Sequence, residues 1–237
     1  MRMLIDSFRG WNRTRIAKRR LNRPRTTPDG FEMVGSPIFF EEIWEIGTRA
    51  AVHHQLSSVS RVVNVGANAR YYCLMAAKMG IPSVAIEPGP TNLRYLQRNI
   101  EINGFDHLVS VLPYAISKES GCSTLFGDGT GASLLESKSS APMSVSSTVD
   151  TRSWADTNIL LTASDLVVID VEGHEGTVID SMIDQLTGSK PALILEIDSS
   201  LRTSPLEKLT AAGYRHMLLE GNPSKVANYL FLRPATA

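Results

Sequence analysis

The chain has 237 residues, a formal net charge of zero and 43% hydrophobic residues, which is enough to bury the core of one domain. No apolar run approaches the ~18 residues of a membrane-spanning helix, and arginines stand near the start, where a secretory signal would be apolar. The two cysteines, Cys73 and Cys122, lie far apart and outside any metal-ligand pattern, which argues against a disulfide framework and a zinc site. We therefore expect a soluble, cytoplasmic protein without a metal site.

Basic residues are concentrated at the start of the chain. Residues 1–25 hold nine Lys or Arg and a single acidic residue, Asp6. Charge blocks of this kind are usually solvated and mobile. The alternatives are that the block contacts nucleic acid or anionic lipid, or that it directs the protein to an organelle. Because no compact basic fold accompanies the block, we predict no nucleic-acid partner. Residues 1–30 are predicted to form a flexible basic tail.

The next segment, residues 31–60, carries a helical pattern. Apolar residues recur within residues 39–56 at Ile43, Trp44, Ile46, Ala50 and Leu56. This spacing predicts an amphipathic helix that packs on the edge of the core. Residues 61–237 are predicted to form the domain itself.

Short apolar runs alternate with helical patterns from Arg61 onward, as expected for βαβ units and a parallel sheet. The fourth run begins with four apolar residues, which is typical of a central strand covered on both faces. The predicted strands are residues 61–65, 83–87, 108–112, 166–170 and 192–197. Glycine and proline mark the helix boundaries, with starts predicted at Pro90 and Pro205 and ends at Gly104, Gly188 and Gly213.

Two further segments complete the predicted fold. Residues 215–219 and 228–232 flank a turn and are predicted to form a hairpin that adds an antiparallel edge to the sheet. Residues 121–158 are rich in Ser, Thr and Gly and lack clear periodicity, so we predict a lid-like insertion, with disorder as the alternative. The predicted fold class is α/β, a doubly wound, mostly parallel, Rossmann-like sheet with an antiparallel C-terminal edge strand.

A turn with ligand-binding features follows the first predicted strand. Gly66 lets the backbone approach a ligand closely, and the free amides at the start of the next helix attract a carboxylate or phosphate. A dinucleotide site would place glycines two and five residues after Gly66, where this chain has Asn68 and Tyr71. The turn therefore favours a mononucleotide-like ligand over NAD.

An acidic residue, Glu87, stands at the end of the second predicted strand, 21 residues after Gly66. A carboxylate at this place accepts hydrogen bonds from both hydroxyls of a ribose. The alternative is that Glu87 only caps the following helix, because acidic residues suit helix N-termini. Ribose binding is the favoured interpretation.

A third group of polar residues follows the central strand. Asp170 and Glu172 leave the sheet at the edge that carries Gly66 and Glu87, since ligands of open α/β sheets bind at the carboxyl ends of the strands. His174 lies in the same block and is more typical of a surface residue than of a base. A divalent cation held by Asp170, Glu172 and Glu196 is conceivable, but nothing fixes their spacing, and we predict none.

In these motifs the chain resembles the FkbM family of S-adenosylmethionine-dependent methyltransferases over residues 61–232. The resemblance rests on four motifs and two single residues: Val65-Gly66-Ala67-Asn68, Glu87-Pro88, Asn99 with Asn103, Asp170-Val171-Glu172-Gly173-His174-Glu175, Pro191 and Glu196. It implies a class I methyltransferase fold, S-adenosylmethionine as cofactor and a small-molecule or glycan hydroxyl as methyl acceptor.

The resemblance also implies roles for individual residues. Asp170 is the first candidate for the base that accepts the hydroxyl proton, with Glu172 or Glu196 second. Alternatively, Glu172 and Glu175 only order the loop and the helix start. The residues expected to bind the cofactor are Asn64, Gly66, Ala67, Asn68, Glu87, Ala115 and Asp170.

The chain departs from the family pattern at three positions. Asn64 stands where the family usually has Asp, Arg70 where it has Gly, and Val168 where Lys is frequent. Asn64 accepts a hydrogen bond but carries no charge to pair with the ammonium group of the ligand. Arg70 could clamp the methionyl carboxylate or block the pocket. A catalytically degenerate domain that binds a ligand or partner is therefore the alternative function.

Overall fold

The computed structural model describes residues 23–69, 71–139, 146–200 and 205–233. Residues 1–22 of the predicted basic tail and Arg70 lie outside these ranges, whereas residues 23–30 of that tail lie within them. The first strands and helices are β1 Arg25–Thr26, β2 Glu32–Met33, α1 Ile46–Leu56, β3 Arg61–Val65, α2 Tyr71–Lys78, β4 Ser83–Ile86, α3 Pro90–Asn103 and β5 Val109–Leu112. The others are β6 Ala115–Ile116, β7 Gly121–Phe126, β8 Ser146–Arg152, β9 Asp165–Ile169, α4 Glu175–Ser189, β10 Ala192–Asp198, α5 Pro205–Ala211, β11 Arg215–Gly221 and β12 Val226–Leu232.

Within the described ranges, the main sheet has seven strands in the order β11-β12-β10-β9-β3-β4-β5. The strands from β10 to β5 pair in parallel, and β12 pairs antiparallel with both β10 and β11. This confirms the predicted doubly wound α/β fold with its antiparallel C-terminal edge. The chain runs outward from β3 to β5 and then returns to β9, so the switch point lies between β3 and β9, where ligands of such sheets bind.

The core lies on both faces of the sheet. All five residues of β9 are buried, as predicted from its apolar run. On one face of the sheet, Val167 and Ile169 of β9 share a core with Val178 and Met182 of α4. On the other face, Leu166 and Val168 share a core with Val52 of α1 and Leu74 of α2. Alternate burial on two faces is what a central parallel strand requires.

The predicted helix over residues 39–56 is wrong in its first half. A short 3-10 turn spans Pro37–Phe40, and α1 begins only at Ile46, after Glu45 in a left-handed conformation with φ 43°. The carboxylate of Glu220 accepts hydrogen bonds from the backbone N–H groups of Gly47 and Thr48 at 3.2 and 2.9 Å. A side chain distant in sequence therefore fixes the helix start, and Ile43 stays 77% exposed.

Residues 121–158 contain strands that the sequence pattern did not indicate. β7 and β8 pair antiparallel, and β6 adds to β8 in parallel, giving a small three-stranded sheet. Most side chains of β7 and β8 are exposed or half-buried and many are Ser or Thr, so these strands lack an apolar face. Residues 140–145 of this insertion lie outside the described ranges.

The predicted end of the fourth helix at Gly188 is also wrong, because α4 continues to Ser189. Lys190 takes the left-handed capping conformation instead, and its N–H donates to the carbonyl oxygen of Leu186. None of the helices in the described part of the chain combines the length and apolar character needed to cross a bilayer.

Candidate active site

Two adjoining cavities open at the carboxyl ends of β3, β4 and β9. Gly66, Asn68, Asp170 and Glu172 line both of them. The first cavity also contains Glu87 and Ala115, and the second contains Asn64, Ala67 and Glu196. The structure thus brings together every predicted cofactor and catalytic residue at the switch point, divided between two compartments.

The turn after β3 is shaped by the neighbouring strand. Gly66 has φ 78°, and a Cβ atom there would lie 1.7 Å from the carbonyl oxygen of Asp170. Only glycine fits this contact. The close packing of the two chain segments, and not a ligand alone, therefore requires glycine at position 66. The N–H of Asp170 donates to the carbonyl oxygen of Val65 at 3.0 Å, which ties the two strand ends together.

Glu87 lies beneath the first cavity and is 4% exposed. Its Oε2 accepts from the N–H of Asn68 at 2.8 Å, and its Oε1 accepts from the N–H of Gly89 at 2.8 Å and Nδ2 of Asn92 at 3.1 Å. Burial raises the pKa of Glu87, and these three donors counteract the rise. The carboxylate therefore organises the turn and the start of α3, with acceptor capacity left for a ligand, since a carboxylate offers about four lone-pair sites.

Four carboxyl groups from three parts of the chain line the second cavity: Glu45, Asp170, Glu172 and Glu196. Burial is the largest cause that raises the pKa of Glu45 to about 7 and of Glu172 to about 8, and the nearby Asp170 raises both further. Burial and the same neighbour also raise the pKa of Glu196. Several of these groups therefore hold protons near neutral pH in the absence of a cation.

Asp170 stands at the junction of the two cavities. Its Oδ1 is buried and has no hydrogen-bond partner among the described residues. Burial raises its pKa, and a hydrogen bond from Glu196 counteracts the rise. The two carboxyl groups therefore share one proton through this hydrogen bond.

The other two members of the block after β9 occupy different positions. His174 lines the first cavity, its buried Nε2 has no hydrogen-bond partner among the described residues, and burial lowers its pKa. It is therefore not the surface residue that the sequence favoured. Glu175 is fully buried, and its Oε1 accepts from the N–H of Gly173 at 2.8 Å, which supports the loop-ordering role.

Sequence reasoning missed the wall formed by the segment before β3 and the start of α2. Trp44, Glu45 and Tyr72 line the second cavity, and the hydroxyl of Tyr72 donates to the carboxyl of Glu45. No local pattern marks these residues, since tertiary packing alone brings them to the strand ends. In the first cavity Asn92 and Tyr114 were missed; the polar Asn92 at the start of α3, five residues after Glu87, was a usable signal.

Part of the insertion covers the first cavity. Gly129, Thr130 and residues 132–134 line it. Nδ2 of Asn92 donates to the carbonyl oxygen of Gly129 at 3.2 Å, and Oγ of Ser133 donates to that of Glu172 at 2.7 Å. Farther along, Lys138 forms an ion pair with Asp198 at the end of β10. The first cavity measures about 50 Å³ and the second about 280 Å³, against the roughly 300 Å³ or more usual for ligand pockets.

Within the described parts of the chain, no three His, Cys, Asp or Glu side chains are arranged to share a metal ion. The carboxyl groups of the second cavity thus do not form a metal-binding set. Their chemistry fits hydrogen-bond donors and organic cations instead.

Comparison with known proteins identifies the domain. Residues 64–215 match the model of the methyltransferase FkbM domain. Among solved structures, the chain is similar to methyltransferase FkbM from Methylobacillus flagellatus KT, with 19% identity and a TM-score of 0.51 over 73% of this chain and 44% of that one. No curated protein matches the chain.

Two further solved structures share the fold. Precorrin-6y C5,15-methyltransferase from Geobacter metallireducens GS-15 is 14% identical with a TM-score of 0.51, covering 85% of this chain and 95% of that one. The ribosomal protein L11 methylase from Lactobacillus delbrueckii subsp. bulgaricus is 11% identical with a TM-score of 0.51, covering 80% and 77%. The chain spans less than half the length of the Methylobacillus protein.

Proposed function

This chain belongs to the FkbM methyltransferase family, and from that premise we propose that it transfers a methyl group from S-adenosylmethionine to a hydroxyl group of a small molecule or glycan. The observation that carries the proposal is the position of Asp170, which lines both cavities and whose Oδ1 has no partner in the part of the chain that the structure describes. One cavity has the side chains for a nucleoside, and the other has room for an acceptor.

The nucleoside is assigned to the first cavity. Glu87 lies under it with about one lone-pair site left for a ribose hydroxyl. Ile86, Tyr114 and Ala115 supply an apolar slot for a flat base. The backbone from Gly66 to Asn68 then borders the amino-acid tail of the cofactor at the boundary with the second cavity, where Asn64 and Ala67 lie. These residues fit the cofactor.

Bound S-adenosylmethionine supplies a methyl group on a positively charged sulfur. The acceptor oxygen would form the new bond to carbon while the sulfur keeps the electron pair of the broken bond. Asp170 is the proposed acceptor of the hydroxyl proton, because burial raises its pKa toward neutrality and its Oδ1 has no hydrogen-bond partner among the described residues. Glu172, with a pKa near 8, is mostly protonated at neutral pH and is the weaker candidate.

We also propose that residues 121–158 act as a lid. The first cavity, at about 50 Å³, is too small for a nucleoside while residues 129–134 cover it. Cofactor entry therefore requires this stretch to move. Opening of the lid would break the contacts of Ser133 with Glu172 and of Lys138 with Asp198, and closing would form them again.

Calorimetric titration of the purified full-length chain with S-adenosylmethionine tests the cofactor assignment. We expect one site per chain, competed by S-adenosylhomocysteine, and no binding of NADH. Absence of heat where a control methyltransferase binds would refute the proposal. The degenerate alternative predicts cofactor binding without turnover for any acceptor, so methyl transfer from labelled cofactor to a panel of hydroxylated compounds separates the two.

A further inference from the structure

Exposed apolar side chains are concentrated at the C-terminal edge of the main sheet. β11 is the terminal strand there, and no strand of the described ranges pairs with its outer side. Met217 and Leu218 of β11 are exposed, Met217 by 54%, and so are Ile43 and Ile46 in the segment that leads into α1. Four of the nine large apolar side chains that are exposed in the described chain therefore belong to these two elements.

The start of α1 and the end of β11 form one continuous surface. Glu220 of β11 accepts hydrogen bonds from the N–H groups of Gly47 and Thr48 at the start of α1. A Cβ atom at Gly47 would lie only 2.6 Å from the carbonyl oxygen of Leu219, so the two backbones are in close contact. The exposed Ile46 thus adjoins the exposed strand. A contiguous apolar patch of this kind on a folded surface marks a site of protein–protein interaction.

The backbone of β11 is not protected against pairing with another strand. Natural edge strands are commonly protected by Lys or Pro, and residues 215–221 contain neither. The register with β12 is regular from Arg215 to Leu218, and the irregularity comes only after Leu218. Four successive residues therefore present a straight edge, whose outward N–H and C=O groups can pair with an added strand.

The two ends of this surface carry opposite charges. Arg215 begins β11, whereas the exposed Glu41 and Glu42 lie beside the first turn of α1, where Arg49 donates to the carbonyl oxygen of Glu42 at 3.2 Å. Neither Arg215 nor Glu41 takes part in an ion pair within the described chain. Antiparallel pairing of two β11 strands would bring the basic end of each copy to the acidic end of the other. The surface is therefore complementary to itself under a twofold rotation.

We infer that this chain forms a twofold dimer in which β11 pairs antiparallel with β11 of a second copy. Met217 and Leu218 lie near the centre of the interface, and Ile43 and Ile46 extend it on each side. Twofold dimers are the commonest assemblies of identical chains, and their interface uses the same surface on both copies. The inference does not depend on the proposed function. The segment that leads into α1 also lines the second cavity, so the dimer would support one wall of the proposed active site.

Sedimentation equilibrium of the full-length chain tests the inference. Over a range of about 1 to 100 μM we expect the mass to rise toward twice the chain mass of 25.9 kDa. Hydrogen exchange, measured at the two ends of this range, locates the contact. Backbone amides within residues 215–218 should exchange more slowly at the higher concentration, because strand pairing protects them.

Two pairs of variants separate this surface from other exposed apolar residues. Met217→Lys and Ile43→Asp should each raise the dissociation constant of the dimer about tenfold or more, because each places a charge in an apolar contact. Met79→Lys and Leu160→Asp are the matched controls, since they make the same kind of change at exposed positions elsewhere and should leave the constant unchanged. Far-UV circular dichroism shows that each variant is folded.

A charge exchange tests the twofold arrangement itself. Arg215→Glu and Glu41→Arg each create like charges across the interface and should each weaken the dimer about threefold or more. In an equimolar mixture of the two variants, both contacts of the mixed dimer join opposite charges again. The mixture should therefore associate about as tightly as the unmodified chain.

Several results would overturn the inference. A chain that stays monomeric over the whole range would mean that another protein, or residues of this chain outside the described ranges, covers the edge. A dimer that Met217→Lys and Ile43→Asp leave intact would lie on a different surface, as would one that the two controls weaken equally. A mixture of Arg215→Glu and Glu41→Arg that associates no better than either variant alone would contradict the antiparallel arrangement.

Discussion

The backbone N–H of Asn68 donates a hydrogen bond of 2.8 Å to the carboxylate of Glu87, joining the turn after β3 to the end of β4. Asn68 has φ 49°, a conformation that asparagine tolerates better than most residues. The residue proposed to hold the ribose is therefore also the one that fixes the shape of the ligand-binding turn. Variants of Glu87 must separate these two roles.

Glu87→Gln is expected to weaken S-adenosylmethionine binding by about 1–3 kcal/mol, the usual effect of removing a charged hydrogen-bond partner. Glutamine keeps one oxygen for Gly89 and Asn92, but its NH2 group meets the N–H of Asn68, so the melting temperature of the variant is measured together with the affinity. Calorimetry measures the affinity, and Glu101→Gln, an exposed change near the end of α3, is the matched control. Equal affinities of Glu87→Gln and the unmodified chain would remove Glu87 from the cofactor site.

The Asn99 side chain is expected to contribute mainly to stability. It is fully buried, its Nδ2 donates to the carbonyl oxygens of Val34 and Ala69 at 3.0 Å each, and its Oδ1 accepts from the N–H of Val34 at 2.7 Å. Asn99→Ala leaves three buried backbone groups without partners and should lower the free energy of unfolding by about 2–4 kcal/mol. Urea denaturation measures it, and Gln97→Ala, exposed on the same helix, should change it by less than about 0.5 kcal/mol.

Glu175 is expected to make stability depend on pH. Burial, as the largest cause, raises its pKa from 4.5 to about 7, so the folded state binds more protons than the unfolded state between these values. The stability that this group contributes is complete below pH 4.5 and is lost as the pH rises to about 7. Glu175→Gln should remove this dependence, on the order of 3 kcal/mol over the window.

Urea denaturation between about pH 4.5 and 7.5 checks the prediction for Glu175, with Asp184→Asn on the exposed side of α4 as control. The unmodified chain and Asp184→Asn should lose stability with rising pH in parallel. A slope for Glu175→Gln as steep as that of the unmodified chain would mean that Glu175 ionises normally.

Lys138 is expected to control how long the cofactor product stays bound. Its ammonium pairs with Asp198, and its aliphatic stem covers Gly173, where a Cβ atom would lie 2.7 Å from Cγ of Lys138. Lys138→Met keeps the stem and removes the ion pair, so S-adenosylhomocysteine should dissociate about two- to fivefold faster, as expected for a partly exposed pair. Stopped-flow displacement measures the rate, and the exposed Lys118→Met should not change it.

The sequence was sufficient to predict the sheet and one wall of the site. Apolar runs located the parallel strands within one residue at each end, because strands buried on two faces have to be apolar throughout. Since parallel strands end at one edge, Gly66, Glu87 and Asp170 were predicted to meet, and the structure places all three around the first cavity.

The other wall could not be predicted, because it depends on packing between distant segments. Glu45 reaches the second cavity only because Glu220, 175 residues later, fixes the start of α1 and because Tyr72 donates to its carboxyl. The Asn99 and Asn103 motif was recognised as a family feature, whereas the structure shows that both side chains hold the segment from Glu32 to Val34 against α3.

A crystal structure of the full-length chain with S-adenosylhomocysteine tests the central claim most directly. The account predicts at least one ribose hydroxyl within hydrogen-bond distance of Glu87, about 2.5–3.2 Å, and the sulfur facing the second cavity beside Asp170. It also predicts that Arg70 leaves that cavity open. A ribose bound away from Glu87, or an Arg70 side chain filling the space beside Asp170, would contradict it.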